Sequence, residues 1–144
     1  MANAVTIKSK HQLFYPFGEH GAAAMADSRD TGFFAAHCLS TLGYENKNHD
    51  ITSPDMLSFD EAAKIFSREQ GRPIAPEQQN PAEHKAYLGK LIASKCYLDA
   101  VCEIFTEIAA RYVVETTSTF REITGHTLRD LAGFVREMRS VFTP

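Results

Sequence analysis

The sequence predicts one α+β domain that is mostly helical, with five or six helices and two or three short strands. From residue 81 onward, apolar side chains recur almost continuously at the three- and four-residue spacing of amphipathic helices. Before residue 81, short apolar runs alternate with residues that start and stop helices. The 144 residues, taken as a single domain, would bury about 68–70% of the surface that the unfolded chain exposes.

The first third of the chain predicts two strands with a helix between them. Residues 22–25 (AAAM) are a short apolar run, which is typical of a buried strand. Polar residues at 27–30 offer N-cap oxygens to a helix over 31–42, and Gly43 would end it. Residues 48–52 are the second strand candidate, and the turn-forming residues 53–55 follow.

The best-marked helix is predicted over residues 58–70. Ser58 and Glu61 have the spacing of a capping box, in which two side chains satisfy backbone N–H groups at the helix start. Gly71 supplies the C-terminal cap, and Pro73 prevents continuation. Residues 72–74 are a third strand candidate. The apolar face consists of Phe59, Ala62, Ala63 and Phe66.

The second half predicts helices almost throughout. Asn80 and Pro81 begin a helix as N-cap and first helical residue. A one-turn helix starts at Thr119 and ends at Gly125, and the last helix starts at Thr127. The long apolar stripe comprises Leu98, Val101, Cys102, Phe105, Ile108, Ala109 and Tyr112. The final stripe comprises Leu128, Leu131, Ala132, Val135, Met138 and Phe142.

Composition narrows the function classes. The net charge is −3 and the sequence contains no basic block, so neither nucleic acid nor a membrane surface is expected as a partner. The start, MANAVTIKSK, lacks the apolar region of a signal peptide. Cys38, Cys96 and Cys102 lack paired spacing and fit reduced thiols, which predicts a cytoplasmic location. No H-x-x-x-H, H-E-x-x-H or paired-cysteine motif occurs, so no metal site is expected.

Four stretches together suggest a family. The first contains D-x-R-D at Asp27 to Asp30, and the second contains P-x-x-L-S-F-x-E preceded by Ser53 and ends in Gly-Arg-Pro. The third is a two-helix stretch, and the fourth contains Thr-Gly. In this order and spacing they resemble the C-terminal portion of NmrA-like proteins, a branch of the atypical short-chain dehydrogenases. Ser53, Leu128 and Gly133 depart from the family pattern, which usually has Gly, Pro and an acidic residue there. The stretches are 15–36, 46–74, 81–112 and 123–135.

The resemblance covers about residues 13–142 and implies the fold of the family's C-terminal lobe. In the family, a Rossmann half carries the glycine-rich turn and much of the cofactor site. No G-x-G-x-x-G or G-x-x-G-x-x-G occurs here, so we assign no cofactor-binding residue and expect no tight binding of NADPH or NADH. The resemblance also implies an apolar patch where the other half would pack. We expect a homodimer through residues 81–112 to cover it, with repacking into a closed monomer as the alternative.

His84 and Tyr87 are the candidate catalytic residues. They are one helical turn apart, and a histidine in a pocket can titrate near neutral pH. The candidate substrate-binding residues are His20, which precedes a glycine in a loop, and three aromatic residues on or beside the long stripe, Tyr97, Phe105 and Tyr112. An ordinary structural role at a loop, helix boundary or core edge is the alternative for each of them.

The function that these features favour is that of a cofactor-independent small-molecule enzyme derived from an NmrA-like reductase. Isomerisation, cyclisation or dehydration of a small apolar or aromatic molecule needs only positioning and general acid–base groups. A non-catalytic ligand-binding or regulatory module is one alternative. A subunit that completes a separate Rossmann chain is another, and a fragment of a reductase is a third.

Overall fold

The computed structural model describes residues 3–16, 18, 21–110 and 115–143. Within these ranges the chain forms eight helices and four short strands, which confirms the mostly helical α+β class. The helices are α1 Asn3–Lys10, α2 Ser28–Ser40, α3 Phe59–Gln70, α4 Pro81–Leu88, α5 Lys95–Ala109, α6 Thr119–Thr124, α7 Leu131–Glu137 and α8 Arg139–Phe142. The strands are β1 Gln12–Tyr15, β2 Ala22–Ala23, β3 Leu57–Ser58 and β4 Ala75–Gln78.

The four strands form two small two-stranded sheets. Strands β1 and β4 pair in parallel, and β2 and β3 pair antiparallel. The first pairing continues beyond the strand end, where the Gln79 N–H donates to the Tyr15 carbonyl oxygen over 2.8 Å. The sheet therefore fixes the point at which α4 begins, because Asn80 follows directly as its N-cap.

The main core lies around α3, which contacts α1, α7 and α8 either directly or through shared core residues. The predicted capping box of Ser58 and Glu61 is confirmed, and Gly71 ends the helix in the left-handed conformation, with φ +68°. Arg72 then donates from Nη2 to the carbonyl oxygens of Ile7 and Phe142, which ties α1 and α8 to this turn. The buried core residues are Ile7, Leu13, Ala62, Ala63, Phe66, Ile74, Val135 and Phe142.

A smaller core joins α2 to α6 through Phe34, Phe120 and Leu128. Asp30 anchors this region, since its buried carboxylate accepts the Arg129 backbone N–H over 2.7 Å and also pairs with the Arg129 guanidinium. At the start of α2, Asp27 caps the helix and forms an ion pair with the Arg29 guanidinium. The three charged residues of the D-x-R-D motif thus have structural partners within the chain.

The structure corrects several predicted elements. Residues 48–52 are not a strand, because they pair with no neighbouring strand among the described residues and instead contact Thr117. Helix α1 was not expected, since only Thr6 and Ile7 of its residues are buried and no apolar stripe marks it. The third strand lies at Ala75–Gln78 rather than at 72–74, where the register with β1 places it.

The observed ends of two helices also differ from the predicted ones. Helix α2 ends at Ser40, and Gly43 lies three residues further on in the following turn, with φ +100°. The last helix begins at Leu131 rather than at Thr127, because the Asp130 carboxylate accepts the Gly133 N–H over 2.6 Å and caps it there. A break at Met138 then separates α7 from α8.

Across the described part of the chain, none of the helices combines the length and apolarity that crossing a bilayer requires.

Candidate functional site

A cleft of about 290 Å³ lies between α4 and α5. The N-terminal turn of α4 forms one wall, where the Asn80 side chain caps the helix by accepting the Ala82 N–H over 2.8 Å. The apolar face of α5 forms the opposite wall. The described residues that line the cleft are Pro16, Pro81, Ala82, His84, Lys85, Cys102, Phe105, Thr106 and Ala109.

His84 is the buried titratable group of this cleft. Its residue surface is only 5% exposed, and burial lowers its pKa below the usual value of 6.5. Nδ1 lies 2.6 Å from Oε1 of Gln79, and the ring contacts Phe105 edge-on with 5.4 Å between centroids. Because the Gln79 oxygen can only accept a hydrogen bond, Nδ1 carries the proton and the neutral ring keeps its lone pair on Nε2. Nε2 has no hydrogen-bond partner within the described ranges, so it can accept a proton or a hydrogen bond.

An ion pair connects the two walls of the cleft. Lys85 Nζ on α4 lies 2.6 Å from the Asp99 carboxylate on α5, and both side chains are nearly half-exposed. The hydrogen bond between them is the largest cause that raises the pKa of Lys85 and lowers the pKa of Asp99. Both groups therefore stay charged near neutral pH, and a fixed ammonium sits at the edge of an otherwise apolar cleft.

The structure brings only some of the predicted site residues together in this cleft. His84 and Phe105 line the cleft together. Tyr87 lies beside His84, with 6.3 Å between ring centroids, but it contacts Phe14 edge-on and is not among the described lining residues. Tyr97 is 61% exposed and also lies outside the lining. The catalytic and binding roles of these residues remain predictions, and His20 and Tyr112 lie outside the described residues.

Two cleft residues were not recognised as site residues from the sequence. Lys85 follows His84 directly, but nothing in the pattern indicates its ion pair with Asp99 across to the next helix. Cys102 was predicted as a reduced thiol on the long apolar stripe, and the structure places it as a half-buried free cysteine in the cleft wall. In the part of the chain that the structure describes, no three His, Cys, Asp or Glu side chains come together as a metal-binding group.

A second cleft of about 300 Å³ opens beside the main core, between α1, α3 and α7. Asn3 is its one polar residue among the described lining. The Asn3 amide exchanges two hydrogen bonds of 3.0 Å with the Phe14 backbone, so both ends of that amide are used. The other lining residues are Ala4, Ile7, Leu13, Met25, Phe59, Ala62, Phe66, Leu131, Phe134 and Phe142. This cleft offers apolar contact but no acid–base group.

The chain is similar in sequence to known enzymes. It is 27% identical over 139 residues to an NAD(P)H azoreductase of Xenophilus azovorans, covering 96% of this chain and 48% of that protein. It is 25% identical to agroclavine dehydrogenase of Claviceps fusiformis, covering 95% of this chain and 47% of the relative. The chain thus spans about half the length of these curated relatives. No protein-family model matches it.

Solved structures establish the fold. A NADPH-dependent quinone oxidoreductase of Escherichia coli superposes with a TM-score of 0.81 at 18% identity, covering 96% of this chain and 50% of that one. A triphenylmethane reductase of Citrobacter sp., complexed with NADP(H), gives 0.78 at 20% identity, covering 94% and 47%. The fold matches the C-terminal part of NmrA-like reductases. The resemblance seen in the four sequence stretches is therefore supported at the level of the fold.

Proposed function

We propose that this chain is a small-molecule-binding lobe of the NmrA-like reductase type, and that the His84 cleft is its ligand site. The observation that supports this is a buried, neutral imidazole with a free nitrogen in an otherwise apolar cleft. The volume of the cleft, about 290 Å³, is close to the lower limit of about 300 Å³ for ligand pockets. A small apolar or aromatic molecule with one polar group fits these walls.

The chemistry that we propose for the chain alone is general acid–base catalysis. His84 Nε2 would take a proton from a carbon acid and return it at another position, as an isomerase, cyclase or dehydratase requires. Lowering of the His84 pKa favours the neutral form, which is the form that acts as a base. The three cysteines are free, which is compatible with the cytoplasmic location that we propose.

A second candidate function follows from the comparisons. The relatives named above are reductases and dehydrogenases, and this chain matches about half of each. In that case the lobe would hold the acceptor molecule, while a cofactor-binding half would supply the hydride. The two candidates share the ligand cleft and differ in whether NADPH is needed.

Hydrogen exchange separates these candidates. The chain would be incubated in D₂O with small aromatic ketones, and exchange of the protons next to the carbonyl would be followed by NMR. Acid–base catalysis predicts faster exchange without cofactor, and His84→Gln should lower that rate by roughly 10²–10⁴-fold. His126→Gln, which changes an exposed histidine outside the cleft, should leave the rate unchanged.

Binding without exchange in any ketone would instead favour the lobe of a reductase. Calorimetry with NADPH provides the complementary measurement. We expect no tight binding by this chain, since it has no glycine-rich phosphate turn. A micromolar dissociation constant would contradict that expectation.

We also propose that the chain forms a homodimer through α4 and α5. Tyr97 and Ile104 are two turns apart on one face of α5 and are 61% and 55% exposed, and Leu91 nearby is 59% exposed. Light scattering should report about twice the chain mass of 16.0 kDa. Ile104→Asp should give a monomer, whereas Leu42→Asp, at a residue 91% exposed in the turn after α2, should not. A monomeric wild-type chain would remove this proposal.

A further inference from the structure

Helix α5 carries two apolar faces, which lie about a third of a turn apart around its axis. The first face lines the His84 cleft through Cys102, Phe105 and Ala109. The second face lies outside the described cleft lining and is more exposed, with Tyr97 at 61% and Ile104 at 55%. Its members recur at intervals of four, three and four residues, which is the spacing by which two helices pack along a seam. They are Tyr97, Val101, Ile104 and Ile108.

The charges of α5 indicate which helix would cover this second face. Lys95 is at the N-terminal end, where the helix dipole is positive, and Glu107 is in the last turn, where the dipole is negative. Each charge is unfavourable for the helix that carries it, and neither forms an ion pair within the described ranges. An antiparallel copy of α5 would offset both, because the first turn of one helix would lie beside the last turn of the other. The pattern therefore fits a second copy of this chain, related by a two-fold axis.

A two-fold axis decides which residues meet along such a seam. The seam is self-complementary when Val101 faces Ile104 of the second copy, and Tyr97 then faces Ile108. Ile108 is next to Ala109 and three residues from Phe105, and both of these line the cleft. The ring of Tyr97 from one copy would therefore lie at the edge of the cleft in the other copy.

We propose that each His84 cleft is shared between two copies of the chain, with Tyr97 of the second copy closing its open side. This inference rests on the ligand cleft and the dimer proposed above, and it adds a ligand-binding residue from the other copy. The phenol ring would extend the apolar wall, and its hydroxyl would donate a hydrogen bond to the ligand. The ligand class is then a small aromatic or apolar carbonyl compound whose oxygen lies at the mouth of the cleft.

NOE measurements on the wild-type chain test this contact without any ligand. Tyr97 and Ala109 are twelve residues apart in one helix, about 18 Å, so an NOE between the Tyr97 ring and the Ala109 methyl group can only connect two copies. We expect this NOE and a second one from the Tyr97 ring to the methyl groups of Ile108. NOEs from Tyr97 to Val101, one turn along the same helix, provide the internal control.

Two results of the NOE measurement would overturn the proposal. One is the absence of both inter-copy NOEs in a sample that light scattering shows to be dimeric. The other is a chain that remains monomeric at the concentration of the NMR sample, because Tyr97 would then have no second cleft to close.

Mixed dimers test whether Tyr97 serves the cleft of the other copy, with acetophenone as the probe for hydrogen exchange. Tyr97→Phe removes only the hydroxyl, so it should keep the seam and lower the exchange rate by about tenfold. His84→Gln removes the proposed base. When equal amounts of the two variants have exchanged copies, each mixed dimer has one cleft with both His84 and Tyr97. The mixture should then reach about a quarter of the wild-type rate, against about one twentieth if Tyr97 acts within its own chain.

The two measurements separate failure of the shared cleft from failure of the proposed function. Absence of acetophenone exchange in the wild-type chain would count against acid–base catalysis, and the NOEs alone would then decide whether the cleft is shared. Exchange that is unchanged in Tyr97→Phe, or that shows no gain on mixing, would overturn the role of Tyr97 even if the dimer forms. Inter-copy NOEs together with a gain on mixing would support both proposals.

Discussion

Helices α3 and α5 have similar sequence patterns but very different surroundings. Both begin with a serine N-cap, and both carry an apolar stripe at helical spacing. In α3 the stripe is covered, and Ala62, Ala63 and Phe66 are each at most 6% exposed. In α5 none of the 15 residues is buried, although the stripe is longer. An amphipathic pattern therefore marks the face that needs a cover, but it does not say whether the chain itself supplies that cover.

The difference comes from the neighbours of each helix. Helix α3 contacts α7, α8, β1, β3 and β4, which come from both ends of the described chain. Helix α5 contacts α4 and the short strand β2. One region is thus a closed core and the other is a half-open surface that contains the His84 cleft. Three predictions test this contrast, in order of decreasing expected change.

The same substitution in both helices should have unequal effects on stability. Phe66 is 6% exposed in the main core, so Phe66→Ala should lower the free energy of unfolding by about 3–5 kcal/mol. Phe105 is only half-buried, so Phe105→Ala should cost roughly half as much or less. Urea denaturation of both variants measures these changes. If Phe105→Ala instead costs as much as Phe66→Ala, and its cost increases with protein concentration, a partner chain covers α5.

The two serine N-caps provide a second matched comparison, with a smaller expected loss of stability. Ser58 accepts the Glu61 N–H and takes part in a complete capping box, whereas Ser94 accepts the Tyr97 N–H alone, over 3.3 Å. Ser58→Ala should cost about 1 kcal/mol of global stability. Ser94→Ala should mainly fray the start of α5, with a global cost near the lower limit of about 0.5 kcal/mol. Hydrogen exchange of the first turns would separate local from global loss.

The smallest expected effect is the pH dependence that His84 contributes. Its folded-state pKa lies below 6.5 because burial disfavours the charged ring. As the pH falls below 6.5 towards the folded-state pKa, the unfolded chain binds a proton that the folded chain does not, so the folded state loses stability. The slope cannot exceed about 1.4 kcal/mol per pH unit for one proton. The fall in melting temperature between pH 8 and pH 5 should therefore be smaller in His84→Gln than in the wild-type chain.

An unchanged slope in His84→Gln would mean that the ring protonates equally well in both states. That result would contradict a buried neutral imidazole. It would also count against the acid–base function that we propose, because the His84 imidazole would then be as accessible to water as in the unfolded chain.

Much of the fold could be predicted where a local signal was sufficient. The capping box of Ser58 and Glu61, the cap at Asn80 and the turn at Gly125 depend on groups a few residues apart, and all three are found. The predictions at 48–52 and 72–74 were wrong in type or position. Strands are defined by hydrogen bonds to another segment, and the partner of β4 is β1, more than sixty residues earlier.

The candidate site shows the same division. Sequence spacing puts His84 and Leu88 on one face of a helix, because residues four apart share a face, and the structure buries both of them. It could not show that Gln79 would bond to Nδ1, that Lys85 would pair with Asp99, or that Tyr97 would be exposed outside the described cleft lining. Those facts depend on how α4 and α5 pack, and packing depends on distant segments.

Local patterns were sufficient to predict the mostly helical class, the ends of the best-capped helices, the family resemblance and a titratable group on the same helix face as apolar residues. Each of these follows from interactions within about one helical turn or from motifs in order along the chain. The tertiary structure alone decided which stripe became a core and which remained half-open, and which polar groups entered the cleft. Burial and side-chain pairing arise between segments far apart in sequence, and local patterns do not contain that information.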